Sequence, residues 1–75
     1  MKELDWIEVS GSARVVAEAY DPETETIYVR FPNGTEWWYA GCPLFVWEEF
    51  TAPGQSRGKY IHSVLNHKPN GRYTG

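Results

Sequence analysis

From residue 12 to residue 40, apolar and polar side chains alternate with a period close to two, the spacing of strands with one buried face. "SARVVAEAY" (12–20) sets Ala13, Val15, Ala17 and Ala19 against Arg14, Val16, Glu18 and Tyr20, and predicts a strand with one small-residue face. "DPETE" (21–25) is a turn: Pro22 fixes φ and Asp21 can accept from the following backbone. "TIYVRF" (26–31) places Ile27, Val29 and Phe31 on one face, Tyr28 and Arg30 on the other. Asn33-Gly34 tolerates the positive φ of a tight hairpin, and "TEWWYA" (35–40) returns as the partner strand. Trp37 and Tyr39 share one side of it and Trp38 takes the other, so one tryptophan is expected buried and one exposed. Upstream, "WIEV" (6–9) reads as a first strand or an edge lead-in.

Past Gly41 the period lengthens. Pro43 opens "PLFVWEEF" (43–50) at the favoured first helical position. Either Leu44, Trp47 and Phe50 or Val46 and Phe50 then fall at helical spacing. "TAPGQ" (51–55) ends that helix. Ser56 caps a second one in "SRGKYIHSVLNHK" (56–68), whose apolar stripe is Tyr60, Ile61, Val64 and Leu65. Lys68-Pro69 stops it, because proline excludes the preceding residue from helical geometry. The remaining "PNGRYTG" is a polar tail, either flexible or a short extra strand closed by Asn70-Gly71.

Strands followed by helices define an α+β fold. The expected form is a three- to four-stranded antiparallel β-meander followed by two short helices packed on one sheet face. Residues 1–75 make one domain, with a core over about residues 9–67 and a polar tail over 68–75. A chain this short buries only about 60% of its unfolded surface, so oligomerisation is a natural source of extra stability. Four tryptophans, five tyrosines and three phenylalanines offset part of that deficit. They are too many to hide in one small core, so some rings are expected near the surface, where a ligand or a homo-oligomer contact can use them.

Charge divides the chain. Residues 1–50 hold all ten acids and three bases, a formal −7, whereas 51–75 hold Arg57, Lys59, Lys68 and Arg72 without an acid, a formal +4. The basic run is either a local anion site or an internal dock for the acidic half. Cys42 is the lone cysteine, so no disulfide framework is expected; beside Pro43 it reads as a small buried hydrophobe. No apolar leader or long apolar segment is present, which implies a soluble cytoplasmic protein without membrane attachment. His62 and His67 are five apart, on different sides of a helix, so no metal pair and no cofactor is expected. Ser10, Ser12 and Ser63 have no evident base and orienting group, and Glu48 and Glu49 read as solvated. No catalytic residue is assigned, and the chain reads as a non-enzyme.

Seven segments, in order, resemble a known family: "VSGS" (9–12), "AYD" (19–21), "IYVRF" (27–31), "NG" (33–34), "WWYAGCP" (37–43), "FVWEEF" (45–50) and "SRGKYIHSVL" (56–65). Together they are similar to the KTSC domain, a short module found at the C-terminus of some lysyl-tRNA synthetases. It also occurs as stand-alone small proteins of bacteria and their phages. The resemblance covers about residues 9–65 and implies the meander-plus-helices fold. It departs at Gly11, where the family usually has a second serine, and at Cys42, where it usually has valine. "PGQ" also lengthens the loop before Ser56. By association with the synthetase, the resemblance brings in tRNA or other RNA as a partner.

"S-R-G-K" is the sharpest candidate chemistry. Ser56 supplies a hydroxyl, Gly58 allows close approach to backbone, and Arg57 and Lys59 add charge suited to phosphate. The plain structural reading makes Ser56 an N-cap, Gly58 a turn glycine and the two bases solvated. With Tyr60 next in line and Trp38 and Tyr39 as stacking rings, the candidate ligand site is Ser56, Arg57, Gly58, Lys59, Tyr60, Trp38 and Tyr39. The favoured function is a non-enzymatic module that binds or sequesters a small phosphorylated, nucleotide-type ligand, as a sensor or sponge in a bacterial cell or phage-infected host. The alternatives are an RNA- or tRNA-binding accessory domain and a protein–protein interaction module. A pI near 5.2 sets the chain apart from broad nucleic-acid binders.

Overall fold

The computed structural model describes residues 4–74. Five antiparallel strands form one sheet in sequence order: β1 (Ile7–Glu8), β2 (Ala17–Asp21), β3 (Thr26–Arg30), β4 (Glu36–Tyr39) and β5 (Asn70–Arg72). Between β4 and β5 the chain makes two helices, α1 (Leu44–Phe50) and α2 (Arg57–Ser63), and a 3₁₀ turn, Leu65–His67.

The register sorts the two faces. Tyr28 lies opposite Trp38, and Val29 opposite Trp37, while Ile27 and Val29 are fully buried. Alternation therefore turns Ile27, Val29, Trp37 and Tyr39 toward the helices, and Tyr28, Arg30 and Trp38 to the outer face. On β2, Glu18 and Tyr20 meet the helices while Ala17 and Ala19 lie opposite Arg30 and Tyr28. The helices contribute Val46, Phe50, Tyr60, Ile61 and Leu65 to the core between the layers, joined by Val15, Tyr39 and Cys42. Trp47 stacks on Tyr20 (ring centroids 5.3 Å apart, planes 11° apart) and so locks α1 to β2. Tyr20 also donates to the Cys42 carbonyl at 2.7 Å.

Several expectations hold. Asp21 accepts from the Glu23 N–H (3.0 Å), and the Asn33-Gly34 hairpin closes with Gly34 at φ 89°. Ser56 caps α2 by accepting from Lys59 N. The apolar stripe is buried at Tyr60 and Ile61 on α2 and at Leu65 in the 3₁₀ turn, and half-buried at Val64 between them. Cys42 is fully buried, and burial pushes its thiol up from the ordinary value.

Other expectations need correction. The strand read over 12–20 begins only at Ala17. The Ser12 hydroxyl accepts from the N–H groups of Arg14 and Val15 (3.2 Å each), so these residues turn instead of joining a ladder. Of the two readings of the polar tail, the short extra strand is the one found: β5 pairs with β4 and brings the sheet to five strands where three or four were expected. Asn70-Gly71 lies inside that strand and closes no hairpin. Gly71 is there because Trp38 lies on it: a Cβ at 71 would come within 2.9 Å of the indole. Both tryptophans are half-buried as a result, since β5 covers the edge of each; Trp37 Nε1 donates to Asn70 Oδ1 at 3.0 Å. Finally, α2 ends at Ser63, whose hydroxyl bonds back to the Lys59 carbonyl (2.8 Å), and the 3₁₀ turn carries the chain on to Lys68. On α1, Val46 and Phe50 are the buried pair, while Leu44 and Phe45 are 55% and 62% exposed.

Candidate functional site

Two loops face each other across a cleft of about 490 Å³. One wall is Ser10, Gly11, Ser12, Ala13 and Arg14; the other is Gly54, Gln55, Ser56, Arg57 and Gly58. They lie 40 residues or more apart in the chain. The first wall hangs between Val9, packed against the core, and Val15, fully buried, and is closed by the Val9 N–H bonding to Val16 O (3.0 Å). The second is tied back to α1, with Gln55 Nε2 donating to Glu49 O at 3.2 Å.

The two arginines stand differently. Arg57 makes a two-pronged bond to Glu18: Nε to Oε1 at 3.0 Å and Nη2 to Oε2 at 2.9 Å. Glu18 is 3% exposed, a carboxylate in the helix–sheet seam, and its bond holds Arg57 charged above its ordinary range. This pair answers part of the charge division: the basic segment docks on the acidic sheet. A guanidinium has five N–H donors, so three remain on Arg57 after Glu18 is satisfied. Arg14 has no carboxylate partner among the described residues. Its guanidinium lies over the Phe31 ring, 5.5 Å from the centroid, and its stem reaches the opposite wall. A Cβ on Gly58 would sit 3.4 Å from Arg14 Cβ, so glycine at 58 lets the two walls approach. Ser12 and Ser56 accept backbone N–H groups and keep their own O–H groups for donation.

The structure does not bring the seven predicted site residues together. Ser56, Arg57 and Gly58 line the cleft; Lys59 is exposed just outside it. Tyr60 is a core residue, 6% exposed, donating to Glu49 Oε1 at 2.8 Å. Burial, aided by that carboxylate, pushes its phenol far up. Glu49 is thus engaged as an acceptor, although it reads from the sequence as merely solvated. Tyr39, 2% exposed, is also core; burial raises its phenol while the Arg14 charge acts in the opposite sense. Trp38 is on the far face of the sheet, beside Tyr28 and Tyr73, whose rings meet edge to face at 4.9 Å. Sequence reasoning missed Arg14 and Ser10. For Ser10 the signal lay in "VSGS" (9–12), which carries the family resemblance and folds against the other resembling segment, "SRGK"; Arg14 lies outside it.

The family model of the KTSC domain matches residues 11–68. The chain belongs to the KTSC domain family. The match spans most of both cleft walls and leaves out the two edge strands, β1 and β5. A crystal structure of a KTSC domain protein from Yersinia pestis superposes with a TM-score of 0.84 over 96% of this chain and 100% of that one, at 20% identity. That likeness establishes the KTSC fold. Comparison with curated proteins finds no match. No helix among the described residues is long and apolar enough to cross a membrane, and no three metal-ligating side chains cluster there.

Proposed function

We propose that this KTSC domain is a non-enzymatic binding module that holds a small phosphorylated, nucleotide-type ligand in the cleft between residues 10–14 and 54–58. The observation that carries the reading is Arg14, a cleft-lining residue without an acidic partner among the described residues, whose stem packs against Gly58 of the other wall while its guanidinium rests over Phe31. Such donors suit phosphate oxygens. A volume near 490 Å³ lies within the roughly 300–1,000 Å³ of small-molecule sites. Binding without turnover is favoured because the ionisable groups lining the cleft are two arginines, and a guanidinium does not serve as a base. A role as sensor or sponge in the cytoplasm follows from that reading.

The test is a thermal-shift screen against nucleotides, cyclic nucleotides and a short RNA. A ligand at 100 times its Kd stabilises by about 2.7 kcal/mol, a shift of many degrees in a domain this small. A hit with a small nucleotide, lost in Arg14→Gln, supports the cleft. A hit with RNA alone, vanishing with salt, replaces it by the RNA-binding reading. Silence across the panel leaves protein interaction, for which the exposed Leu44–Phe45 pair on α1 is the available surface.

A further inference from the structure

We infer that the cleft selects a singly charged phosphodiester over a doubly charged phosphate monoester; this rests on the cleft being the ligand site. The reasoning is a charge count. Two lining residues carry charge, Arg14 and Arg57, and Arg57 is matched by Glu18 through both carboxylate oxygens at 2.9–3.0 Å. The Glu18–Arg57 pair is neutral as a unit, so the wall formed by residues 54–58 offers N–H and O–H donors without net charge. The excess charge of the lining is therefore +1, located on Arg14. Attraction of a ligand to that charge grows in proportion to the ligand's own charge, whereas the cost of taking the ligand out of water grows with its square. A phosphodiester brings one negative charge and two free oxygens: one for Arg14, the other for the donors left on Arg57 and the serine hydroxyls. A phosphate monoester, with a second pKa of about 6, brings nearly two charges at neutral pH. Glu18 thereby becomes a specificity residue without touching the ligand: it sets the charge of the cleft through Arg57.

The experiment is calorimetric titration at fixed ionic strength and pH 7.5, using the 5′-monophosphates of adenosine, guanosine, cytidine and uridine and the four matching 3′,5′-cyclic monophosphates. For the base that binds best, the cyclic form is expected to bind tighter by about threefold or more, an effect of one extra poorly matched charge. Glu18→Gln keeps an oxygen for Arg57 but removes the counter-charge; the lining rises to +2, and the preference narrows or reverses. Tighter binding of the monophosphates by the wild-type protein overturns the charge assignment while leaving the cleft as a site. The same preference in wild type and in folded Glu18→Gln also overturns it. Should Glu18→Gln fail to fold, the wild-type ratio alone decides. Binding of none of the eight overturns the cleft reading and this inference with it.

Discussion

The two walls of the cleft carry one arginine each, and the surroundings of those side chains differ in kind. The side chains of Arg57 and Glu18 are 19% and 4% exposed, paired through two bonds in the seam between α2 and β2. Arg14 is exposed, resting on a phenylalanine face. A buried ion pair is hard to break because the surviving partner keeps its desolvation cost without compensation. An exposed guanidinium costs little to lose and retains its donors for a ligand. Placement thus assigns Arg57 first to the fold and, on the proposed reading, leaves binding to Arg14, although from the sequence Arg57 looks the better phosphate ligand.

The sharpest way to break this contrast is Arg57→Ala, which leaves the Glu18 carboxylate buried and alone. It is expected to cost about 3–5 kcal/mol in urea unfolding. A cost within that of a loose surface pair, under about 1 kcal/mol, would put the two arginines on equal footing. Next in size is Gly71→Val, which drives a side chain into Trp38. A thermal melt should show a loss of about 1–3 kcal/mol. An unchanged melt would mean that β5 does not seat on the indole.

Alkaline pH probes the tyrosines of the sheet and helices. Tyr60, Tyr39, Tyr28 and Tyr20 all have phenols raised above the ordinary 10.0, burial being the first cause in each. Between that value and the folded one, the unfolded chain has lost protons that the folded chain keeps. Stability is therefore full below pH 10 and falls as pH rises beyond it. Tyr60→Phe should cost about 1 kcal/mol at neutral pH, for the bond to Glu49, and make the alkaline decline shallower. An equally steep decline would remove Tyr60 from the explanation. The smallest effect on stability is Arg14→Gln, expected to stay within about 0.5 kcal/mol of wild type. The same substitution should weaken nucleotide binding about tenfold or more, since a charged hydrogen bond contributes about 1.5–3 kcal/mol.

Much of the fold was legible along the chain, because strand and helix periods are local signals. Ile27, Val29 and Phe31 alternate cleanly, and Tyr60, Ile61, Val64 and Leu65 mark one helix face. What escaped depends on long-range contact. β5 is three residues, Asn-Gly-Arg, with no apolar pattern, and it exists because β4 offers an open edge and Trp38 a surface for Gly71. Ser12 ends a strand-like run by a side-chain bond that period counting does not register. At the site, the ambiguity between anion site and internal dock had a positional answer: Arg57 faces a buried glutamate that lies 39 residues away in sequence. Tyr39 and Tyr60 were attractive as stacking rings, but a small core needs its largest rings, and both went there.

Whether Arg14 is the free cation of a ligand cleft is decided by following backbone amides by NMR during titration with a cyclic mononucleotide. Shifts are expected only at residues 10–14 and 54–58, and are expected to disappear in Arg14→Gln at the same nucleotide concentration. Shifts centred instead on Tyr28, Trp38 and Tyr73, or unchanged in Arg14→Gln, would contradict it.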